Sequence, residues 1–140
     1  MSVYSDIAAG IATTLRGNVT ELLAFDFPPD SVNQFPAAVV IPEPIDTEIV
    51  IQGNTINPTF RIVFLVGSAD AAEGFRALYD HIDPVEAGKS LLAAVRADRT
   101  MNGSVDDSDL IRIENIGRRE LWGGFYFAFD GLLDVIKTVP

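Results

Sequence analysis

The chain contains no cysteine, which removes a disulfide framework and thiolate chemistry and suits a reducing compartment. Basic residues are scarce as well: ten Lys and Arg stand against twenty Asp and Glu, a net charge of −10. A protein that grips nucleic acid through its phosphates needs clustered Lys and Arg. An anionic membrane surface would repel this chain. No apolar run approaches the roughly 20 residues of a membrane-spanning helix. The start, Met1-Ser2-Val3-Tyr4-Ser5-Asp6, lacks the basic opening and long apolar stretch of a signal peptide. The expectation is a protein that is cytosolic when made. The triplets Asn18-Val19-Thr20 and Asn102-Gly103-Ser104 then carry no glycosylation signal. Internal repeats, low-complexity tracts and linkers are missing too, so 140 residues with 48% hydrophobic content read as one domain, 1–140, with material for a core.

What is present is periodicity. Ile7, Ile11, Leu15 and Leu22 mark an amphipathic first helix, with Ser5 or Asp6 as its cap and Gly17-Asn18 near its end. Phe27-Pro28-Pro29-Asp30 to Phe35-Pro36 is a proline-studded loop, and Ala37 to Ile41 a short apolar strand. Residues 45–66 read as a β-hairpin: Ile45 to Gln52, a turn at Gly53-Asn54, then Asn57 to Val66. Asp70-Ala71-Ala72-Glu73 resembles a capping box for a helix with Phe75, Leu78, Tyr79 and Ile82 on its stripe. Asp83-Pro84-Val85-Glu86 signals a third helix start, with Leu91, Leu92 and Val95 buried. A polar loop from Arg99 to Asp109, turning at Asn102-Gly103, leads to two long strands that meet at Trp122-Gly123-Gly124. The predicted order is α-β-β-β-α-α-β-β. That is an α+β fold: a small, mostly antiparallel sheet with about three helices packed on one face.

The last strand is apolar on both sides. Phe125, Phe127, Phe129, Leu133 and Val135 share one face at a period of two; Tyr126, Ala128, Leu132 and Ile136 share the other, interrupted by Asp130 and Asp134. Val63 and Leu65 repeat the pattern in the preceding hairpin. A strand of a lone antiparallel sheet usually shows one face to water. The expectation is an uncovered apolar face carrying Val63, Leu65, Tyr126, Ala128, Leu132 and Ile136, a surface for another layer or another copy.

Motifs that would carry chemistry are weak. Gly88-Lys89-Ser90 resembles the end of a phosphate loop, but position 83 is Asp rather than Gly, and its expected place inside a helix removes free backbone donors. Asp106, Asp107 and Asp109 lack the glycine and distal glutamate of a calcium loop and read as a solvated acidic run. His81, the single histidine, stands without a Ser or Cys motif and reads as a capping or surface residue. Trp122 reads as a packing residue beside a turn. In Arg118-Arg119-Glu120 the two arginines point opposite ways along a strand, as a surface pair or as inter-subunit salt bridges. No catalytic constellation, cofactor site or metal site is expected.

Three stretches together resemble the tail-terminator (tail-completion) proteins of long-tailed bacteriophages, especially siphophages of actinobacteria. They are the first helix with Phe27-Pro28-Pro29-Asp30 and Phe35-Pro36-Ala37-Ala38-Val39-Val40; the strand ending Phe64-Leu65-Val66-Gly67; and the run from Tyr79 through Ile82-Asp83-Pro84, Ser90-Leu91 and Ala94 to Asp98-Arg99-Thr100-Met101-Asn102-Gly103-Ser104-Val105-Asp106-Asp107. They follow the family order over most of the chain. One departure is Asn102-Gly103 where a glycine pair is common; Asn also tolerates positive φ. The resemblance implies an α+β structural virion protein, not an enzyme. Such a protein forms a hexameric ring that caps the tail tube and offers the surface to which the head docks. Its partners would be further copies of itself, the major tail tube protein and a head-completion or stopper protein. DNA would pass through without specific binding.

Alternatives are another neck or minor tail component, such as a head-closing stopper, or a cytosolic small-ligand-binding or enzymatic α+β domain. Expected subunit or tube contacts are Ile49, Ile51, Gln52 and Asn54 on the 45–66 arm, with Tyr126, Leu132 and Ile136 on the sheet. Expected acidic lumen residues are Asp106, Asp107, Asp109, Asp130 and Asp134, which would repel the phosphates of passing DNA.

Overall fold

A computed structural model describes residues 2–45, 54–67 and 71–139. Helix α1 (Val3–Asn18) starts three residues earlier than expected, because Ser2 sits in extended conformation and its side chain accepts from the backbone N–H of Ser5. Ile7, Ile11 and Leu15 are fully buried along its inner stripe. Helix α2 (Ala71–Ile82) buries Gly74, Leu78 and His81; Asp70 of the expected capping box lies outside the described residues. Helix α3 (Leu91–Ala97) is shorter than expected, starting at Ser90 rather than Asp83. Asp83 does cap, but only a turn: its carboxylate accepts from the N–H groups of Val85 and Glu86. The chain then turns through Gly88, at φ +73°, and Ser90 takes over as helix cap by accepting from Ala93 N–H. Leu92 is only half-buried; Leu91, Ala94 and Val95 face the core.

Six strands form one sheet: β1 (Leu23–Phe25), β2 (Ala37–Pro42), β3 (Thr55–Ile56), β4 (Thr59–Val66), β5 (Asp107–Leu121) and β6 (Gly124–Thr138). The path runs β1-β2-β4-β6, with β5 on the far side of β6. The short β3 pairs Thr55 with Thr138 and Ile56 with Lys137, and β4 resumes the same register at Thr59 opposite Asp134, so the two share one lane broken at Asn57-Pro58. Only β1 with β2 is parallel. The α+β class, the element order and the mostly antiparallel sheet are as expected, with the three-residue β1 added ahead of β2.

Of the expected 45–66 hairpin, the returning strand is present as Thr55–Ile56 and Thr59–Val66. Strand β4 is flanked by Ala37–Pro42 on one edge and Phe127–Asp134 on the other, and Glu43 N–H still donates to Thr59 O just past β2. Residues 46–53 of the proposed arm, including Ile49, Ile51 and Gln52, lie outside the described residues.

Two cores sandwich the sheet. The helices cover one face, where Phe60, Ile62, Phe64, Phe129, Leu133 and Val135 meet Ile7, Ile11, Leu78 and Leu91. The face expected to be bare holds a second core of Val32, Ala37, Val39, Val63, Leu65, Tyr126 and Ala128. Its cover is the chain's own proline loop. Tyr126 Oη donates to Val32 O at 3.0 Å, and the Phe35 ring lies 5.6 Å from that of Tyr126. The apolar demand that suggested a neighbour is thus met inside the monomer over this half of the face. The Arg99–Asp109 loop is less polar than expected, for Met101 and Val105 are core residues and Asp98 ties Thr100 and Asn102 into its turn.

Candidate functional site

Beyond Val66 nothing in β4 continues the sheet, yet β5 and β6 run on as a two-stranded hairpin to Leu121-Trp122-Gly123-Gly124. Trp122 (φ +45°) and Gly123 (φ +78°) both take the left-handed conformation that a two-residue hairpin turn requires. Trp122 packs at the rim of the second core, in accord with a turn-flanking packing role. Phe127, under α2, packs against Phe75 at 5.6 Å. Phe125 lies past the helix and is 64% exposed, so the face read as uniformly buried opens at its end. The Arg118 guanidinium lies 5.0 Å from the Phe125 ring centroid.

The outer edge of β5 pairs with no strand among the described residues. Its ladder to β6 is interrupted between Leu110 and Arg112 and again between Glu114 and Gly117, bulges that twist and re-aim an edge. Ile111 and Ile116 at these breaks are exposed. Sequence periodicity missed them because a bulge resets which face each later residue takes. Their only signal was apolar side chains out of phase with the alternation.

The other half of the second face is polar. Asp130 is 1% exposed and accepts from Arg61, Arg119 and Asn115. Arg61 also bonds Glu43 and reaches Glu114 at 3.1 Å. Burial pulls the Arg61 pKa down, but its bonds to Asp130 and Glu43 outweigh that and raise it. Asp130 is therefore the anchor of an internal ion network, not a carboxylate free to line a channel. Arg119 is committed to the same network while Arg118 faces away, as strand alternation requires.

The remaining expected residues scatter along one end of the sheet. Asp106 accepts from Thr138 N–H and Oγ1, which lowers its pKa. Asp107 pairs with Arg99 and Asp109 with Arg96; the Arg96 bond holds Asp109 below the usual carboxylate range. Asp134 is half-buried, and that burial raises its pKa. Leu132 is half-buried, opposite Arg61 and Arg112 on its two sides. Ile136 and Asn54 are exposed. Tyr126 is not available as a contact, being held in the second core.

His81 is buried rather than on the surface. Its Nδ1 lies 2.8 Å from Lys89 O, its ring 4.5 Å from that of Phe64, and burial pushes its pKa below 6.5. Gly88-Lys89-Ser90 lies in the turn before α3, not inside a helix. Its donors are taken all the same: the N–H groups of Lys89 and Ser90 both go to Glu86 O. Among the described residues no group of three or more His, Asp or Glu is placed to hold a metal ion, and no helix is long and apolar enough to cross a membrane. Neither comparison with protein-family models nor comparison with curated proteins gives a match.

Proposed function

We propose that this chain is a non-catalytic virion protein that closes into a ring on the end of a phage tail tube. The ring stops tube polymerisation and offers the surface on which the head docks. It sits at the head-proximal end of the tail, between the major tail tube protein and a head-completion protein, and DNA passes through it. The observation that carries the assembly reading is the β5–β6 hairpin. It runs past the end of β4 with an outer edge that pairs with no strand among the described residues and with Ile111, Ile116 and Phe125 exposed. Such edges are sites for pairing with another chain. The choice of a tail terminator rests on the three sequence stretches that resemble that family.

The acidic lining is part of the reading, now without Asp130. Asp106 and Asp134 remain its candidates, together with Asp107 and Asp109, whose charge is shared with Arg99 and Arg96. Light scattering of tail tube protein polymerising in the presence of this chain tests the proposal. Growth should halt at a plateau set by the amount of chain added. A strict monomer that neither binds tubes nor slows their growth would sink it.

A further inference from the structure

Residues 27–35 connect two parallel neighbours, β1 and β2, and lie over the second face of the sheet on the way. They cover the second core, yet little holds them there. Among the described residues they make no backbone–backbone hydrogen bond. Of their side chains only Val32 is buried; Pro29 is half-buried and the rest are exposed. The one hydrogen bond that ties them down runs from Tyr126 Oη to Val32 O. The Phe35 ring leans on Tyr126 and lies so near Gly67 that a Cβ there would fall 2.6 Å from it. Both ends, by contrast, are anchored in the sheet: Phe25 pairs with Val39, and Leu23 N–H donates to Pro36 O at 3.0 Å.

We infer that residues 27–35 form a strap that opens as a unit while the sheet and the helices stay folded, so that the second apolar face passes between a sealed and a solvent-exposed state. Segments with few buried contacts and no ladder open well below the free energy of global unfolding. Opening costs one buried valine, one hydrogen bond and the cover over Val63, Leu65 and Ala128, and it restores conformational freedom to the whole strap. The helix side of the sheet has no such weak cover, since α1 alone seats Ile7, Ile11 and Leu15 at full burial. Val32 is the latch. Because the anchored ends keep the open strap beside its seat, reclosing is intramolecular. The device is independent of the tail reading, since it concerns the free chain.

The absence of cysteine makes thiol labelling a clean test. Ala128 lies beneath the strap and Ala38 beneath the helices, both at 0% exposure. Ala128→Cys and Ala38→Cys are each checked for a cooperative thermal melt and then exposed to an aromatic disulfide reagent in native buffer. The Ala128→Cys thiol should react about a hundredfold or more faster than the Ala38→Cys thiol, as local opening requires. Adding Val32→Ala should speed the Ala128→Cys reaction about tenfold and leave the Ala38→Cys reaction unchanged. If Ala128→Cys does not melt cooperatively, Ala37→Cys under the same strap takes its place. Equal labelling of the two faces would overturn the inference, because the strap would then open only with the whole fold. So would a Val32→Ala effect of the same size on both thiols, or none on either.

Discussion

Asp130 shows how far a single residue can depart from what its sequence position suggests. Alternation placed it correctly on the second face of β6, but its partner Arg61 is 69 residues away. Only cross-strand register brings Arg61, Arg119 and Asn115 to it, and register is not written in one strand. Removing the carboxylate by Asp130→Ala leaves two quarter-exposed arginines without their shared partner. The expected loss is about 3 kcal/mol, read by urea denaturation; a change below about 0.5 kcal/mol would show that water replaces the network without cost.

His81 was equally hidden, because a lone histidine on a helix has no periodic signature of burial. Its neutral form is the folded one, and the unfolded chain takes the proton more readily. Its contribution is intact above pH 6.5 and declines as the pH falls below that value toward the lowered folded pKa. The lowered carboxylates Asp98, Asp106 and Asp109 add their own loss only below the ordinary 3.8. Asp134, raised, acts in the opposite sense in the carboxylate range. Chemical denaturation between pH 7 and 5 should therefore show stability falling, and His81→Gln should flatten that slope. An equal slope in both proteins would remove the histidine from the account.

At the scale of elements, the long periodic segments were legible and the connections were not. Trp122-Gly123-Gly124 announced a turn because its neighbours alternate for many residues on either side. The third helix was placed seven residues early because Asp83-Pro84-Val85-Glu86 has the chemistry of a helix start, yet the turn it caps is not continued. Of the 45–66 hairpin, the returning strand was legible from its alternation, while its first arm lies outside the described residues. The loop cover over Val63, Leu65 and Ala128 was equally invisible, since loop residues have no period.

Helix seating gives a paired test at this scale. A Cβ on Gly74 would fall 2.4 to 2.7 Å from atoms of the Phe127 ring, whereas one on Gly17 meets nothing within 4 Å. Gly74→Ala should lower stability by about 1–3 kcal/mol as α2 is pushed off the sheet. Gly17→Ala should raise it by up to about 1 kcal/mol through helix propensity. Thermal melts of the two variants should move in opposite directions. Stabilisation by both would mean that α2 rides loosely on the sheet.

For the whole molecule, the expected α+β architecture holds, but the open surface is not where the two-faced strands suggested. The two-faced strands do not leave a bare face, because the chain folds its own proline loop over half of it. The open surface lies instead at the β5 edge and hairpin end, where bulges break the alternation that a sequence reading depends on. Charge adds a second whole-molecule feature: at a net −10, copies of the chain repel one another. That repulsion weakens as salt screens it beyond a Debye length of about 8 Å at physiological ionic strength. Ring assembly on tubes should therefore strengthen between roughly 50 and 500 mM salt, while the fold itself persists by circular dichroism. Assembly that weakens with salt would point to contacts between opposite charges.

The central claim is that copies of this chain cap one end of a tail tube. Gold-labelled chain added to growing tubes and viewed by negative-stain electron microscopy tests it most directly. The account predicts label at one end only, on tubes of limited length, and on the head-proximal end in intact virions. Label distributed along the tube, or tubes of unrestrained length with bare ends, would contradict it.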